Sequence, residues 1–108
     1  MAFCDLKPVS VTDDSSGVTY IIGRVFSVCS FGADCPAVYS WDMVRSVSVM
    51  RDGIAVTADG ETYSVPGRLF SAPDEFLRAV ALIECAQRKN RFEYIHDKRI
   101  LPLKSSTR

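Results

Sequence analysis

The stretch from Ser71 to Lys89 has the spacing of apolar residues that is typical of an amphipathic α-helix. Its apolar positions recur every three or four residues and form one broad stripe, made of Phe76, Ala79, Val80, Ile83 and Ala86. Arg88 and Lys89 follow at the C-terminal end, where cations are favoured, and Asn90 can stop the helix. The pattern predicts one helix over about residues 72–89, with its stripe buried against the rest of the chain.

The residues before this stripe carry the signals of a helix start. Ser71 supplies an N-cap hydroxyl, and Pro73 fits the first turn because no backbone N–H is needed there. Asp74 and Glu75 place negative charge beside the positive end of the helix dipole. We therefore expect Ser71 to be the N-cap and to form a variant capping box with Asp74.

Upstream of the helix, apolar and polar residues alternate in short runs that indicate β-strands. Asp52-Gly53 and Asp59-Gly60 are strong signals for tight hairpin turns. Val18–Phe31 is the longest run, and Gly23 in its middle suggests a bulge or a bend. The pattern predicts an antiparallel meander of six strands, over residues 7–12, 18–31, 37–41, 45–51, 54–58 and 61–65.

A strand meander followed by one amphipathic helix indicates the α+β class. The helix has to cover a flat sheet or the open end of a curled barrel or sandwich, because its apolar stripe needs a partner layer. The 108 residues suffice for one core, in which we expect Trp41 to be buried. We divide the chain into a domain over residues 1–90 and an extension over residues 91–108. This basic, partly apolar tail is expected as an extended arm or as a hairpin around His96-Asp97-Lys98.

The zero net charge of the chain hides an uneven distribution along it. From Arg88 onward seven basic residues stand against two acidic ones, so this part carries about +5 and the remainder about −5. A basic tail of this kind can meet nucleic acid, an anionic lipid surface or the acidic face of its own protein. We favour a solvated tail that the rest of the protein partly neutralises.

The lack of targeting signals in the sequence makes a cytoplasmic location the expectation. No apolar run approaches the roughly 20 residues of a membrane span, and residues 1–5 lack the basic start and apolar centre of a secretory signal. The four cysteines, Cys4, Cys29, Cys35 and Cys85, do not have the spacing of zinc ligands. We expect reduced thiols, and leave open whether Cys29 and Cys35 pair in an oxidising compartment.

Catalytic chemistry has little support in the residues. His96 is the only histidine, and it would serve as the base for Cys85, with Asp97 behind it, only if folding brought the three together. A surface histidine in a turn and a thiol on a helix is the simpler interpretation. Gly53 and Gly60 belong to hairpin turns and match no phosphate-binding loop. We expect no enzyme activity, no cofactor and no metal.

Several segments resemble the bacterial pleckstrin-homology-like (PH-like) domain family. Tyr39-Ser40-Trp41-Asp42-Met43-Val44, the Asp52-Gly53 hairpin, Tyr63-Ser64-Val65-Pro66, and Phe70 before a capped helix carry the resemblance, over about residues 38–87. It implies a meander curled into a PH-like barrel or sandwich and closed by the helix. Since that fold has seven strands, the Val18–Phe31 run would have to be two. The resemblance also implies a non-catalytic binding or scaffolding module.

Lipid binding does not follow from this resemblance, because a fold does not fix a function. In phosphoinositide-binding members the first hairpin carries a basic cluster, whereas here it reads Asp13-Asp14-Ser15-Ser16 and would repel a phosphorylated headgroup. We expect contacts with a protein partner that the sequence does not identify, self-association included. The alternative is a binder of anionic surfaces, lipid or nucleic acid, that acts through the basic tail.

A mismatch on the helix predicts a self-association surface. Leu82 and Cys85 interrupt the polar side opposite the Phe76–Ile83 stripe, and an exposed apolar patch usually has a partner. The apolar tail can fold back over this patch within one chain, or reach a second molecule as an exchanged arm, and we favour the homodimer. The predicted surface comprises Leu82, Cys85, Phe92, Tyr94, Ile100 and Leu101.

Overall fold

The computed structural model describes residues 6–32 and 34–96 of the chain. Within them lie eight strands, one α-helix and two single-turn 3₁₀ helices, at Trp41–Met43 and Gly67–Leu69. The strands are β1 (Val9–Asp13), β2 (Val18–Ile22), β3 (Val25–Ser30), β4 (Ala37–Ser40), β5 (Val44–Met50), β6 (Gly53–Ala58), β7 (Glu61–Pro66) and β8 (Glu93–His96). The helix α1 (Pro73–Asn90) precedes β8. No helix in this part of the chain has both the length and the hydropathy to cross a membrane.

The strands form two four-stranded sheets. Sheet A has the order β1-β2-β3-β4, and sheet B has the order β7-β6-β5-β8. Neighbouring strands are antiparallel, with the exception of β8, which runs parallel to β5. The predicted α+β class, with an antiparallel strand succession and one C-terminal helix, is therefore confirmed. Among the described residues the strand pairing closes no barrel.

The longest predicted strand is in fact two strands. β2 and β3 pair across a tight turn at Gly23-Arg24, where the N–H of Gly23 donates to the carbonyl of Val25 over 3.1 Å. Ile22 and Phe26 are partners in this hairpin, and both are buried. Apolar residues therefore continue through the turn at a spacing typical of a strand, and for this reason the sequence predicted one strand instead of two. In the described part of the chain, seven strands therefore precede α1.

The helix begins one residue later than predicted. Ala72 is the N-cap and makes no side-chain cap hydrogen bond, so the predicted capping box of Ser71 with Asp74 is wrong. Instead Glu75, at the third helical position, accepts hydrogen bonds from the N–H and the hydroxyl of Ser71, at 3.1 and 3.0 Å. The Glu75 carboxylate still lies beside the positive end of the helix dipole, but its hydrogen bonds come from Ser71, the residue before the N-cap.

The buried face of α1 is wider than the predicted stripe and turned toward Leu82. Ala79, Val80, Ile83 and Ala86 are buried as expected, whereas Phe76 is only partly buried. Leu82 is 1% exposed, so its predicted exposure is wrong. At about 100° per residue, the buried positions cover an arc of about 160° with Ala79 near its centre and Leu82 at one edge. The predicted stripe extends from Ala86 to Val80 and ends about 40° short of Leu82.

After α1 the chain returns to sheet B. Arg91, in the left-handed conformation (φ 59°, ψ 33°), caps the helix, and its N–H donates to the carbonyl of Gln87 over 2.7 Å. Glu93–His96 then lies along β5 as one extended strand, with Tyr94 in register with Val47. Asp97 and Lys98, the rest of the turn in the alternative hairpin, lie outside the described residues.

Trp41 is part of the core, as predicted. It is 3% exposed, and its indole N–H donates to the carbonyl of Gly23 over 2.8 Å. Its ring stacks on Phe92, with centroids 5.9 Å apart and planes 28° apart, and contacts Phe26 at 6.3 Å. One side chain thus connects sheet A with the segment that leads into β8.

A tyrosine pair links the two sheets. The hydroxyls of Tyr39 in β4 and Tyr63 in β7 are 2.5 Å apart, and the ring centroids are 5.6 Å apart. This hydrogen bond, with burial as a smaller contribution, raises the pKa of Tyr63 to about 12. Tyr63 is therefore neutral at physiological pH and able to share this hydrogen bond.

Truncation of the helix core should destabilise the protein strongly. Ile83 is 0% exposed, so Ile83→Ala is expected to lower the free energy of unfolding by about 2–5 kcal/mol, through lost burial and a new cavity. Lys89→Ala, on the exposed end of the same helix, is the control and should stay within about 0.5 kcal/mol of wild type. Urea unfolding measures both, and equal stability of the two variants would show that α1 does not cover the core.

Candidate functional site

A groove opens at the surface beside the start of α1. It has a volume of about 620 Å³ and lies between the β5–β6 turn, the Gly67–Leu69 turn and the first residues of the helix. The lining residues are Arg51, Asp52, Pro66, Gly67, Arg68, Phe70, Ser71, Ala72, Pro73 and Phe76. Most of these side chains are apolar, with charged ones from Arg51, Asp52 and Arg68. We call this cavity the α1 groove.

Two aromatic rings and a backbone hydrogen bond shape the α1 groove. Phe70 and Phe76 meet edge to face, with centroids 5.3 Å apart and planes at 87°. The N–H of Gly67 donates to the carbonyl of Asp52 over 2.8 Å and joins the end of β7 to the β5–β6 turn. Gly53 is required beside it, because a Cβ there would lie 2.3 Å from the carbonyl oxygen of Val65. The walls are therefore fixed by packing and backbone contacts.

The charged residues that line the α1 groove are Arg51, Arg68 and Asp52. Arg51 is exposed in the β5–β6 turn and is held by no ion pair among the described residues. Arg68 reaches across to Asp13 at the end of β1, with 3.4 Å between Nη2 and Oδ2. Asp13 also accepts hydrogen bonds from the N–H and the hydroxyl of Ser15, at 3.0 and 2.7 Å. The hydrogen bonds from the hydroxyl and the N–H of Ser15, and then the charge of Arg68, hold the pKa of the Asp13 carboxyl below its usual value.

The residues of the predicted self-association surface do not form one exposed patch in the structure. Leu82 and Phe92 are buried in the core of their own chain, and Cys85 and Tyr94 are partly buried. Ile100 and Leu101 lie outside the described residues. The tail thus folds back within one chain as far as His96, and the exposed patch that led to the prediction does not exist at Leu82. Self-association itself stays a prediction.

Part of that surface forms a polar cluster between α1 and β8. The hydroxyl of Tyr94 donates to Oε2 of Glu84 over 2.9 Å, and Nδ1 of His96 lies 3.6 Å from the same oxygen. Burial, and then the hydrogen bond to Glu84, raise the pKa of Tyr94. Nε2 of His96 is buried without a hydrogen-bond partner in the described part of the chain. These contacts fasten β8 to the helix.

The residues considered for catalysis are not brought together as a nucleophile and base. His96 faces Glu84, and Asp97 lies outside the described residues. Cys29 and Cys35 are free thiols, whereas Cys85 is disulfide-bonded, which corrects the expectation of four reduced cysteines. Within the described residues, no group of three or more His, Cys, Asp or Glu side chains is placed to hold a metal ion.

Comparison with known proteins identifies no relative of this chain. No protein-family model, no curated protein sequence and no solved structure matches it. Its function therefore has to be inferred from its own residues. The α1 groove was not predicted from the sequence, in which Phe70 was considered only as the residue before the helix. The sequence features that belong to this groove are the Asp52-Gly53 and Pro66-Gly67 turns. They are 14 residues apart in sequence but adjacent in space.

The lowered pKa of Asp13, held by Ser15 and Arg68, should make stability depend on pH. A carboxyl with a lowered pKa stabilises the fold above its unfolded value of about 3.9, and this stabilisation is lost as the pH falls through the folded value. Asp13→Asn is therefore expected to lower the urea midpoint at neutral pH, with a difference from wild type that shrinks below about pH 4. Glu61→Gln, at an exposed carboxylate of β7, is the control. A difference that stays constant with pH would contradict the role of the Asp13 charge.

Proposed function

We propose that this chain is a non-catalytic, PH-like binding module whose α1 groove takes up a short segment of a partner protein. The observation that carries the proposal is the groove itself, an open cavity of about 620 Å³ with an apolar floor and two arginines at its walls. Cavities of this size with few polar groups are the usual binding sites of proteins. The succession of seven strands and a closing helix supports the PH-like assignment, because the resemblance in sequence requires seven strands.

The lining residues define what the segment should look like. Phe70 and Phe76 offer an aromatic floor next to the rings of Pro66 and Pro73, which suits an aromatic or large aliphatic side chain. Arg51 is free to pair with a carboxylate, whereas Arg68 is engaged by Asp13. A fork of guanidinium donors favours carboxylates. The expected ligand is therefore an apolar anchor residue with an Asp or Glu beside it.

Selection from a library of short random peptides would test this function on the full chain. Selected peptides are expected to share an aromatic or large aliphatic residue next to an acidic one. Arg51→Glu should weaken their binding at least about tenfold, because it replaces an attraction by a repulsion. Arg45→Glu reverses an exposed arginine of β5 outside the groove and should leave the affinity unchanged.

Two results would contradict the proposal. One is the absence of any selected peptide motif. The other is a motif whose binding is insensitive to Arg51→Glu, which would place the ligand elsewhere. Amide chemical-shift changes at Phe70 and Phe76 on addition of the peptide give an independent location of the site.

Self-association also remains part of the proposed function, but the predicted contact surface has to be revised. Phe92 and Tyr94 are held by Trp41 and Glu84 of the same chain. A homodimer through these residues would therefore require β8 to leave its own sheet and to pair with β5 of a second copy. In the described part of the chain β8 is the outer strand of sheet B, so pairing of this edge with a second copy requires no such exchange.

Binding to anionic surfaces has no comparable support, and we expect it to be weak. Of the first hairpin, Asp14 remains an exposed acidic group, while Asp13 is turned inward to Arg68. Little protein should float with anionic liposomes near physiological salt, where the Debye length is about 8 Å. Flotation that persists at high salt and selects one headgroup would contradict this expectation and favour a lipid-binding function. Neutral liposomes are the control.

A further inference from the structure

The side chain of Phe31 is held in solvent by the backbone around it. It is 92% exposed, the highest value among the large apolar residues that are exposed. Its N–H donates to the carbonyl of Gly17 over 2.7 Å, which fixes the residue beside the β1–β2 turn. Gly17 has φ +73°, and a Cβ there would lie 3.1 Å from the Cβ of Phe31. The ring is therefore presented at a defined place, as an anchor residue of an interface would be.

A second groove lies next to this ring on the outward face of sheet A. It has a volume of about 460 Å³ and is lined by Thr12, Asp14, Gly17, Thr19, Cys29 and Phe31. Thr12, Thr19 and Cys29 are neighbours in register on β1, β2 and β3. The two threonine hydroxyls are 3.0 Å apart and hydrogen-bonded to each other. The floor is thus flat and weakly polar, with the aromatic ring as one wall.

We call this second cavity the Phe31 groove. The charges beside it favour a basic occupant. Asp14 belongs to its lining, and none of the six described lining residues is a lysine or arginine. Asp34, in the loop that follows Phe31, is exposed as well. An occupant that complements this groove combines a cationic side chain for the carboxylates with an apolar one for the ring. This is the opposite of the chemistry expected at the α1 groove.

We propose that the Phe31 groove binds residues 97–108 of a second copy of this chain. These 12 residues contain Lys98, Arg99, Lys104 and Arg108 against Asp97, a net charge of +3, while residues 1–96 carry −3. The apolar Ile100, Leu101 and Leu103 lie between the basic residues. The segment leaves from β8 in sheet B, whereas the groove opens on the outward face of sheet A. Two copies satisfy both contacts when each inserts its segment into the groove of the other.

Light scattering of the full chain over a concentration series tests the proposal. The wild type is expected to form a dimer, and Phe31→Ser should raise the dimer dissociation constant at least about tenfold, as the removal of an anchoring aromatic does. The paired change Lys98→Glu with Arg99→Glu should do the same. Val38→Ser, at a residue of β4 that is 51% exposed, is the matched control and should leave the dimer unchanged.

A charge exchange gives the decisive measurement. Asp14→Arg makes one groove basic, and Lys98→Glu with Arg99→Glu makes one segment acidic, so neither variant should dimerise by itself. Mixed together they should form a heterodimer, because the basic groove then meets the acidic segment and the unchanged groove meets the unchanged segment. Restoration in the mixture supports the proposal, and its failure overturns it.

Two other outcomes also overturn the proposal. A wild-type chain that stays monomeric at high micromolar concentration has no such contact. A dimer that Phe31→Ser leaves unchanged uses another surface, with an exchanged or paired β8 as the next candidate. Neither outcome affects peptide binding at the α1 groove, since that binding is measured through Arg51.

Discussion

The indole of Trp41 joins three parts of the chain that are distant in sequence. Its N–H donates to the carbonyl of Gly23 in the β2–β3 turn, and its ring contacts Phe26 of β3 and stacks on Phe92 beyond α1. A buried N–H without a partner would cost about 1–3 kcal/mol. The hydrogen bond of the indole therefore favours one position of the β2–β3 turn. The position of sheet A, the end of the helix and the start of β8 all depend on this one residue.

The α1 groove is a consequence of how the chain enters the helix. Gly67 is tied to the carbonyl of Asp52, and three residues later Phe70 meets Phe76 on the first turn of α1. The short connection cannot fill the space between the β5–β6 turn and the helix, and the space remains as a cavity. Arg68 in this connection reaches Asp13 of sheet A, so the groove wall is attached to both sheets. Such a site is rigid, and its ligand does not have to order it.

The two proposed sites differ in charge and lie on either side of the first hairpin. Asp13 turns inward and neutralises Arg68 beside the α1 groove, while Asp14 turns outward and lines the Phe31 groove. Neighbouring carboxylates thus serve different surfaces, because successive residues at a strand end point to opposite faces. A module with one site for an acidic segment and one for a basic segment can hold two chains at once, which is what scaffolding requires.

The sequence by itself determined the local structure. The apolar spacing defined α1, the turn residues at Asp59-Gly60 defined a hairpin, and the size of Trp41 placed it in the core, since each of these depends on residues close in sequence or on one side chain. Only the tertiary structure decided that Leu82 is buried and that the chain after α1 pairs in parallel with β5. It also decided that turns far apart in sequence enclose the α1 groove. These features depend on how layers pack against each other, and a periodic pattern specifies a face without specifying its partner.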